Sequence, residues 1–158
     1  MQITRRADYA VRTMLDVAGV GAGAIALTHE VAARQGVPPP FLAKVVLALV
    51  RAGLLRSHRG AGGGITLARP ADQITLLQVI EAADGPLALN SCVLWPEDCP
   101  RSQVCPVHEV WCEVRALLAE RLGGITISQL LQRSVRPRAR GEQEAGGEAE
   151  DRGPSADC

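Results

Sequence analysis

Aromatic side chains are nearly missing from this chain: two Trp, one Tyr and one Phe make up 3% of its residues. A core must therefore be aliphatic, which suits a mainly α-helical protein. With 47% apolar and 22% charged residues in 158, the chain has room for one well-buried domain plus appendages. No stretch reaches the roughly eighteen apolar residues that span a bilayer. The apolar run 17–27, although preceded by Arg5 and Arg6, is followed by no small-residue cleavage pattern. A cytoplasmic protein with no membrane partner is expected.

Net charge is missing too, since 17 Lys/Arg balance 17 Asp/Glu. The balance hides a division. Residues 1–69 hold nine Lys/Arg against three Asp/Glu, and residues 70–158 hold eight against fourteen. A basic N-terminal half in a neutral chain points to a polyanion as the partner of that half. The five cysteines are an odd number, clustered mid-chain, which argues against a disulfide framework. The absence of Cys-x-x-Cys, of a substrate-pocket signature and of a second cofactor motif removes support for a redox enzyme or electron carrier.

What is present is the segment CVLWPEDCPRSQVCPVH, from Cys92 to His108. Six residues separate Cys92 from Cys99, five separate Cys99 from Cys105, and two separate Cys105 from His108. Thiolate and imidazole are ligands for zinc, copper or an iron–sulfur cluster. Pro96, Pro100 and Pro106 keep the segment from becoming one helix, so its sulfurs can converge. The plain alternative is a surface loop of unliganded thiols, and four soft donors in so short a span weigh against it.

Earlier in the chain, Thr4 can cap a first helix carrying Ala10, Val11, Met14, Leu15 and Ala18 on one face, with Gly19–Gly23 ending it. The GVGAGA run loosely fits a dinucleotide fingerprint, but it follows a helix where that motif needs a strand. It reads as a loop. A short second helix is expected from Thr28, at its cap, to Gln35, stopped by Gly36. Pro38, Pro39 and Pro40 then open a third helix with Leu42, Val45, Val46, Leu49 and Val50 inward and Gly53 at its end. Helix, glycine-centred turn, helix is a helix-turn-helix. Residues 54–59 and 65–68 read as two strands around a glycine-rich turn, which makes them a wing. Arg56, His58 and Arg59 lie at its tip, and Gly60 lets the backbone approach a phosphate closely. The turn is no nucleotide loop, because no Gly-Lys-Ser/Thr follows.

Thr75 caps a fourth helix ending at Gly85. From about Val107 a long helix carries Val110, Val114, Leu117, Leu118 and Leu122 on one stripe, with too little chain left to cover it, so a homodimer is expected. Thr126 begins a short helix over 127–132. Beyond Ser134 the composition reads as disordered, and Cys158 there is no ligand candidate.

With wing and cysteine loop both in view, the sequence resembles the IscR/NsrR-type iron–sulfur winged-helix transcription regulators. The matching residues are Asp8-Tyr9-Ala10, Gln35-Gly36-Val37, Leu42-Ala43-Lys44, Arg51-Ala52-Gly53-Leu54, Arg59-Gly60-Ala61-Gly62-Gly63-Gly64 and Cys105-Pro106-Val107-His108. The resemblance covers roughly residues 1–134 and implies promoter DNA as partner, a dimer joined by long helices, and a cluster near that interface. It divides the chain into a DNA-binding domain (1–85), a cluster loop (86–106), a dimerisation helix with a short terminal helix (107–134) and a tail (135–158). Two departures stand out. Pro38, Pro39 and Pro40 occupy the positions where relatives present hydroxyl groups to DNA, which moves base readout toward Phe41, Lys44 and Arg51 or to DNA shape. The first two cysteines are also one residue further apart than in relatives.

Cys92, Cys99, Cys105 and His108 are the expected cluster ligands. His108 lies one helical turn past Cys105, and proximity within one loop favours it as fourth ligand of a [2Fe–2S] cluster. The resemblance supplies a rival, Asp8 of the other subunit on a [4Fe–4S] cluster. Asp8 is otherwise a first-turn acid favouring the helix N-terminus. The leading reading is a DNA-binding regulator tuned by an iron–sulfur cluster. The alternative is a zinc-stabilised winged-helix module, although zinc modules usually pair their ligands closely.

Overall fold

Thr4 does cap the first helix. In the computed structural model, which describes residues 3–60 and 63–135, its hydroxyl accepts from the Ala7 amide at 3.3 Å, and α1 runs over Arg5–Gly19. The inward stripe is rotated from the one expected. Ala10 and Met14 are buried, but Ala7, Thr13 and Val17 complete the face, while Val11, Leu15 and Ala18 only border the core. Thr13 tolerates burial because its hydroxyl donates to the Tyr9 carbonyl at 2.7 Å.

The second helix, α2 (Thr28–Gln35), corrects the expected cap. Leu27, not Thr28, is the N-cap, and it makes no side-chain capping bond. The reason lies just upstream. Ala26 and Ile65 exchange two backbone hydrogen bonds of 2.9 Å, which hold the chain extended to the doorstep of the helix. Gly36 stops α2 in a left-handed conformation (φ 60°, ψ 33°), its amide and that of Val37 closing on carbonyls of the last turn. This is the tight turn that aims α3 (Pro39–Arg51). Pro39 and Pro40 occupy its first positions, where no amide is needed. Leu42, Val45 and Leu49 are buried, and Val46 and Val50 border the core.

Strands β1 (Leu55–His58) and β2 (Gly64–Leu67) pair antiparallel with Leu55 opposite Leu67 and His58 opposite Gly64. The first strand is two residues shorter than expected, one at each end, and at its start the Leu54 amide bonds to Leu49 and closes α3 instead. Thr75 and Gln78 form a reciprocal capping box that starts α4 (Leu76–Asp84). The long helix α5 covers Pro106–Gly123 and buries none of its residues. A second capping box, Thr126 with Gln129, starts α6 (Ile127–Val135), which is longer than the six residues expected.

α6 returns to the N-terminal core. The Ile127 amide donates to the Ile74 carbonyl at 2.9 Å, Leu76 donates to Ile125 at 2.8 Å, and Ile127 is fully buried. One aliphatic core therefore joins α1, α2, α3, the hairpin, α4 and α6. It carries α3 and the wing outward on one side and leaves α5 projecting. Among the described residues no helix is long and apolar enough to cross a membrane. The expected disorder of 135–158 and the position of Cys158 fall, but for the backbone of Val135, outside the described residues.

Candidate nucleic-acid interface and metal centre

The surface of α3 begins with what the sequence omits: no Asp or Glu lies between residues 38 and 53. Its outward side chains include Pro38, Pro39, Pro40, Phe41, Lys44 and Arg51, all exposed, and between them the apolar Ala43 and Leu47. Phe41, 56% exposed, has Lys44 Nζ 6.0 Å above its ring, at the outer limit of a cation–π contact. The N-terminal turn of α1 lies alongside. Arg5, Arg6 and Tyr9 line a cavity of about 420 Å³ together with Phe41, Lys44 and Arg51. Sequence reasoning counted Arg5 and Arg6 in the basic half and weighed them as a targeting signal, but did not place them beside α3. Their clustering with α3 needs the α1–α3 packing, and only the adjacent basic pair was there to hint at it.

On the wing, Arg56, His58, Arg59 and Gly60 are exposed. His58 Nε2 lies 2.9 Å from the Thr66 hydroxyl, a bond across the hairpin that holds the imidazole along the strands. Among the described residues the ion pairs are Arg12–Asp8, Arg34–Asp16 and Arg34–Glu30. Arg5, Arg6, Lys44, Arg51, Arg56 and Arg59 make none, so six cations face solvent with no internal anion beside them.

The helix-turn-helix is held by one half-buried acid. Asp16 of α1, with a side chain 9% exposed, receives bonds of 3.0 and 2.8 Å from Arg34 and 3.0 Å from Gln35, both at the end of α2. Burial pushes its carboxyl up. The hydrogen bonds from Arg34 and Gln35 and the charge of Arg34 outweigh that and hold it below the usual carboxylate range. The same bond raises the already high pKa of Arg34.

The cysteine segment is a loop, as its prolines require. Cys92 sits in a short 3-10 turn (Ser91–Val93), Cys99 follows a second (Pro96–Asp98), and Cys105 is the N-cap residue of α5 with Pro106 behind it. All three thiols are half-buried. Cys99, Cys105 and His108 line one cavity of about 680 Å³ with Pro96 and Glu97; Cys92 does not line it. Among the described residues no three His, Cys, Asp or Glu side chains stand together as a metal-binding group. The chemistry nevertheless fits a soft metal or cluster. The donors are three free thiols and an imidazole, and His108 Nδ1, in the first turns of α5 beside the cavity shared with Cys99 and Cys105, is buried without a hydrogen-bond partner. Asp8, the rival, lies on the first turn of α1 and pairs with Arg12 at 2.8 Å. That contact accounts for it within the chain.

Sequence reasoning passed over Cys112. It lies on α5 four residues past His108, exposed, with Sγ 3.6 Å from His108 Nε2. The i,i+4 spacing was the available signal.

Comparison with known proteins agrees with this architecture. Residues 3–133 match the family model Rrf2, described as an iron-dependent transcriptional regulator. A helix-turn-helix transcriptional regulator of Mycobacterium tuberculosis, Rv1287, is 36% identical over 131 residues, covering 82% of this chain and 81% of the relative. Among solved structures, T. potens IscR aligns with a TM-score of 0.66 at 27% identity, covering 93% of this chain and 94% of that one. CymR, titled the global cysteine regulator of B. subtilis, aligns with a TM-score of 0.68 at 25% identity, covering 84% and 98%.

Proposed function

The chain belongs to the Rrf2 family of transcriptional regulators, not enzymes, and from that premise we propose that it binds double-stranded promoter DNA as a homodimer, its affinity tuned by an iron–sulfur cluster held between Cys92 and His108. The observation that carries the DNA half is the set of six exposed cations on α1, α3 and the wing, unpaired among the described residues, beside a helix with no acid on it. α3 enters the major groove, Arg59 on the wing reaches the minor groove, and Arg5, Arg6, Lys44 and Arg56 hold phosphates. Pro38, Pro39 and Pro40 carry no donors, so base readout falls to Arg51, with Phe41 as an apolar contact.

The regulatory half rests on the loop. Cys92, Cys99, Cys105 and His108 would hold the group, and a [2Fe–2S] cluster suits three thiolates and one imidazole better than a [4Fe–4S] cluster completed by Asp8. When bound, such a cluster supplies a centre sensitive to redox state. The chain's own part is mechanical. The loop joins the end of α4 to the start of α5, and Cys105 is the N-cap residue of α5. Drawing Cys92 toward the other donors therefore shifts the first turn of α5. Arg115 Nε on α5 donates to the Leu87 carbonyl at 2.8 Å, which ties that helix back to the segment after α4. In a dimer built on α5, such a shift alters the spacing of the two α3 helices.

A fluorescence-anisotropy titration against a duplex selected from a random-sequence pool tests the reading. Tight binding that falls steeply with salt supports it. No preference for the selected duplex over a random one overturns it.

A further inference from the structure

The fifth cysteine in the sequence is Cys158, and Cys112 is the thiol that the loop reading leaves unused. It lies near the loop, yet it neither lines the cavity that holds Cys99, Cys105 and His108 nor packs into the core. Among the described residues its side chain has one polar contact, His108 at the Nε2 atom, which leaves the buried Nδ1 as the nitrogen turned elsewhere. The separation of the pair is informative. A tetrahedral zinc ion holds thiolate sulfur at about 2.3 Å and imidazole nitrogen at about 2.0–2.1 Å, which sets the two donors about 3.5 Å apart. Sγ of Cys112 and Nε2 of His108 are 3.6 Å apart without any ion between them.

A thiol is a weak hydrogen-bond donor, so the contact by itself holds the two side chains together only slightly. The backbone is what fixes it. Positions four apart on an α-helix stand one above the other, and two ligands at that spacing on one face are an established way for a helix to chelate zinc. Here both residues lie within α5 (Pro106–Gly123), past the proline-rich loop, so the bite is set by helical geometry.

We propose that His108 and Cys112 form a two-donor chelate for a thiophilic divalent cation of the zinc class, with water completing the shell. The site needs neither Cys92 nor Cys99 nor Cys105, so it goes beyond the cluster reading and survives its failure. It shares His108 with that reading. Zinc on the pair occupies the imidazole and competes with the loop for it, which makes zinc a second input to the same residue.

The test follows each cysteine separately in the full-length chain, stripped of metal without oxygen. Alkylation by iodoacetamide is timed with and without zinc chloride and read for each cysteine by peptide mass spectrometry. Zinc should slow alkylation of Cys112 at least tenfold in the wild-type chain. His108→Gln should abolish that protection, and the variant Cys92→Ser/Cys99→Ser/Cys105→Ser should keep it. Circular dichroism on both variants checks that α5 is intact, and His108→Asn replaces His108→Gln if helicity falls. Equal Cys112 rates with and without zinc would overturn the proposal, as would protection that survives loss of the imidazole. Protection that vanishes in the triple-serine variant would also overturn it, by assigning the ion to the loop.

Discussion

Gly64 shows how narrowly single residues constrain this fold. A Cβ built there would lie 2.3 Å from the Ala26 carbonyl oxygen, a backbone atom that cannot move without breaking the Ala26–Ile65 pairing. Gly64→Ala should therefore destabilise the protein by about 1–3 kcal/mol, the usual cost of overpacking, and lower the thermal midpoint by several degrees. An unchanged midpoint would mean that the wing is not seated on Ala26. At the interface, Arg59→Ala should weaken binding to a cognate duplex by ~1–3 kcal/mol if it reads the minor groove. Lys44→Ala should reduce the dependence on salt by about one released counterion if it holds a phosphate. Titration at two salt concentrations separates these roles, and unchanged binding with both replaced would remove α3 and the wing from the interface. At this scale the sequence was readable where chemistry is local. Thr4, Thr75 and Thr126 start helices where their hydroxyls could be placed in advance, and Gly36 and Gly53 end them. Thr28 misled because a distant residue, Ile65, sets where α2 begins. The inward face of α1 was rotated for the same reason, since small residues such as Ala7 are inward only when a neighbouring helix approaches closely.

Among the elements, the α1–α2 clamp decides whether α3 is presented at a fixed angle. Asp16 is ionised with a depressed pKa in the folded state, so its contribution is complete above about pH 4, the unfolded value, and is lost as pH falls through the lower folded value. Asp16→Asn should cost about 1–2 kcal/mol at neutral pH, with hydrogen bonds to a charged group lost and Arg34 left with Glu30 alone. The gap between variant and wild type should close below about pH 4, followed by urea unfolding across pH 2–7. A gap constant across that range would show that the charge of Asp16 does not hold α2. The other decisive element is α5. Its sequence stripe was legible, yet Leu117 is 64% exposed and Val110 48%, and no residue of the helix is buried. Leu117→Glu should shift the protein from dimer to monomer in sedimentation velocity at micromolar concentration if α5 is the two-fold contact. A monomeric wild type would sink that assignment. Periodicity could mark this face but could not show that α6 turns back to bury Ile127 beside Ile74. The nine residues of α6 carry no signal for where they dock.

Over the whole molecule, charge and chemistry are divided between two ends. The basic half bears α3 and the wing, and the acidic half bears the cysteine loop and α5. The two ends are joined through α4, on which α1, α3 and α5 pack, so a change at the loop has a short covalent and packed route to the side that bears α3 and the wing. Much of this plan could be read from spacing alone, because a glycine-centred turn, a basic hairpin and four soft donors are each local patterns. The contribution of Arg5 and Arg6 to the α3 surface, and of Cys112 to His108, could not, since both depend on how helices meet and where side chains point. The division also predicts how the two ends interact. Nothing on α3 repels DNA, so the cluster-free dimer should keep measurable affinity and the loop should tune it. The most direct measurement is a pair of anaerobic anisotropy titrations of one selected duplex, with the same preparation before and after cluster loading, at one salt concentration. The account predicts binding above random DNA in both states and a shift of at least about tenfold between them, ~1.4 kcal/mol. Superimposable curves in the two states would contradict it.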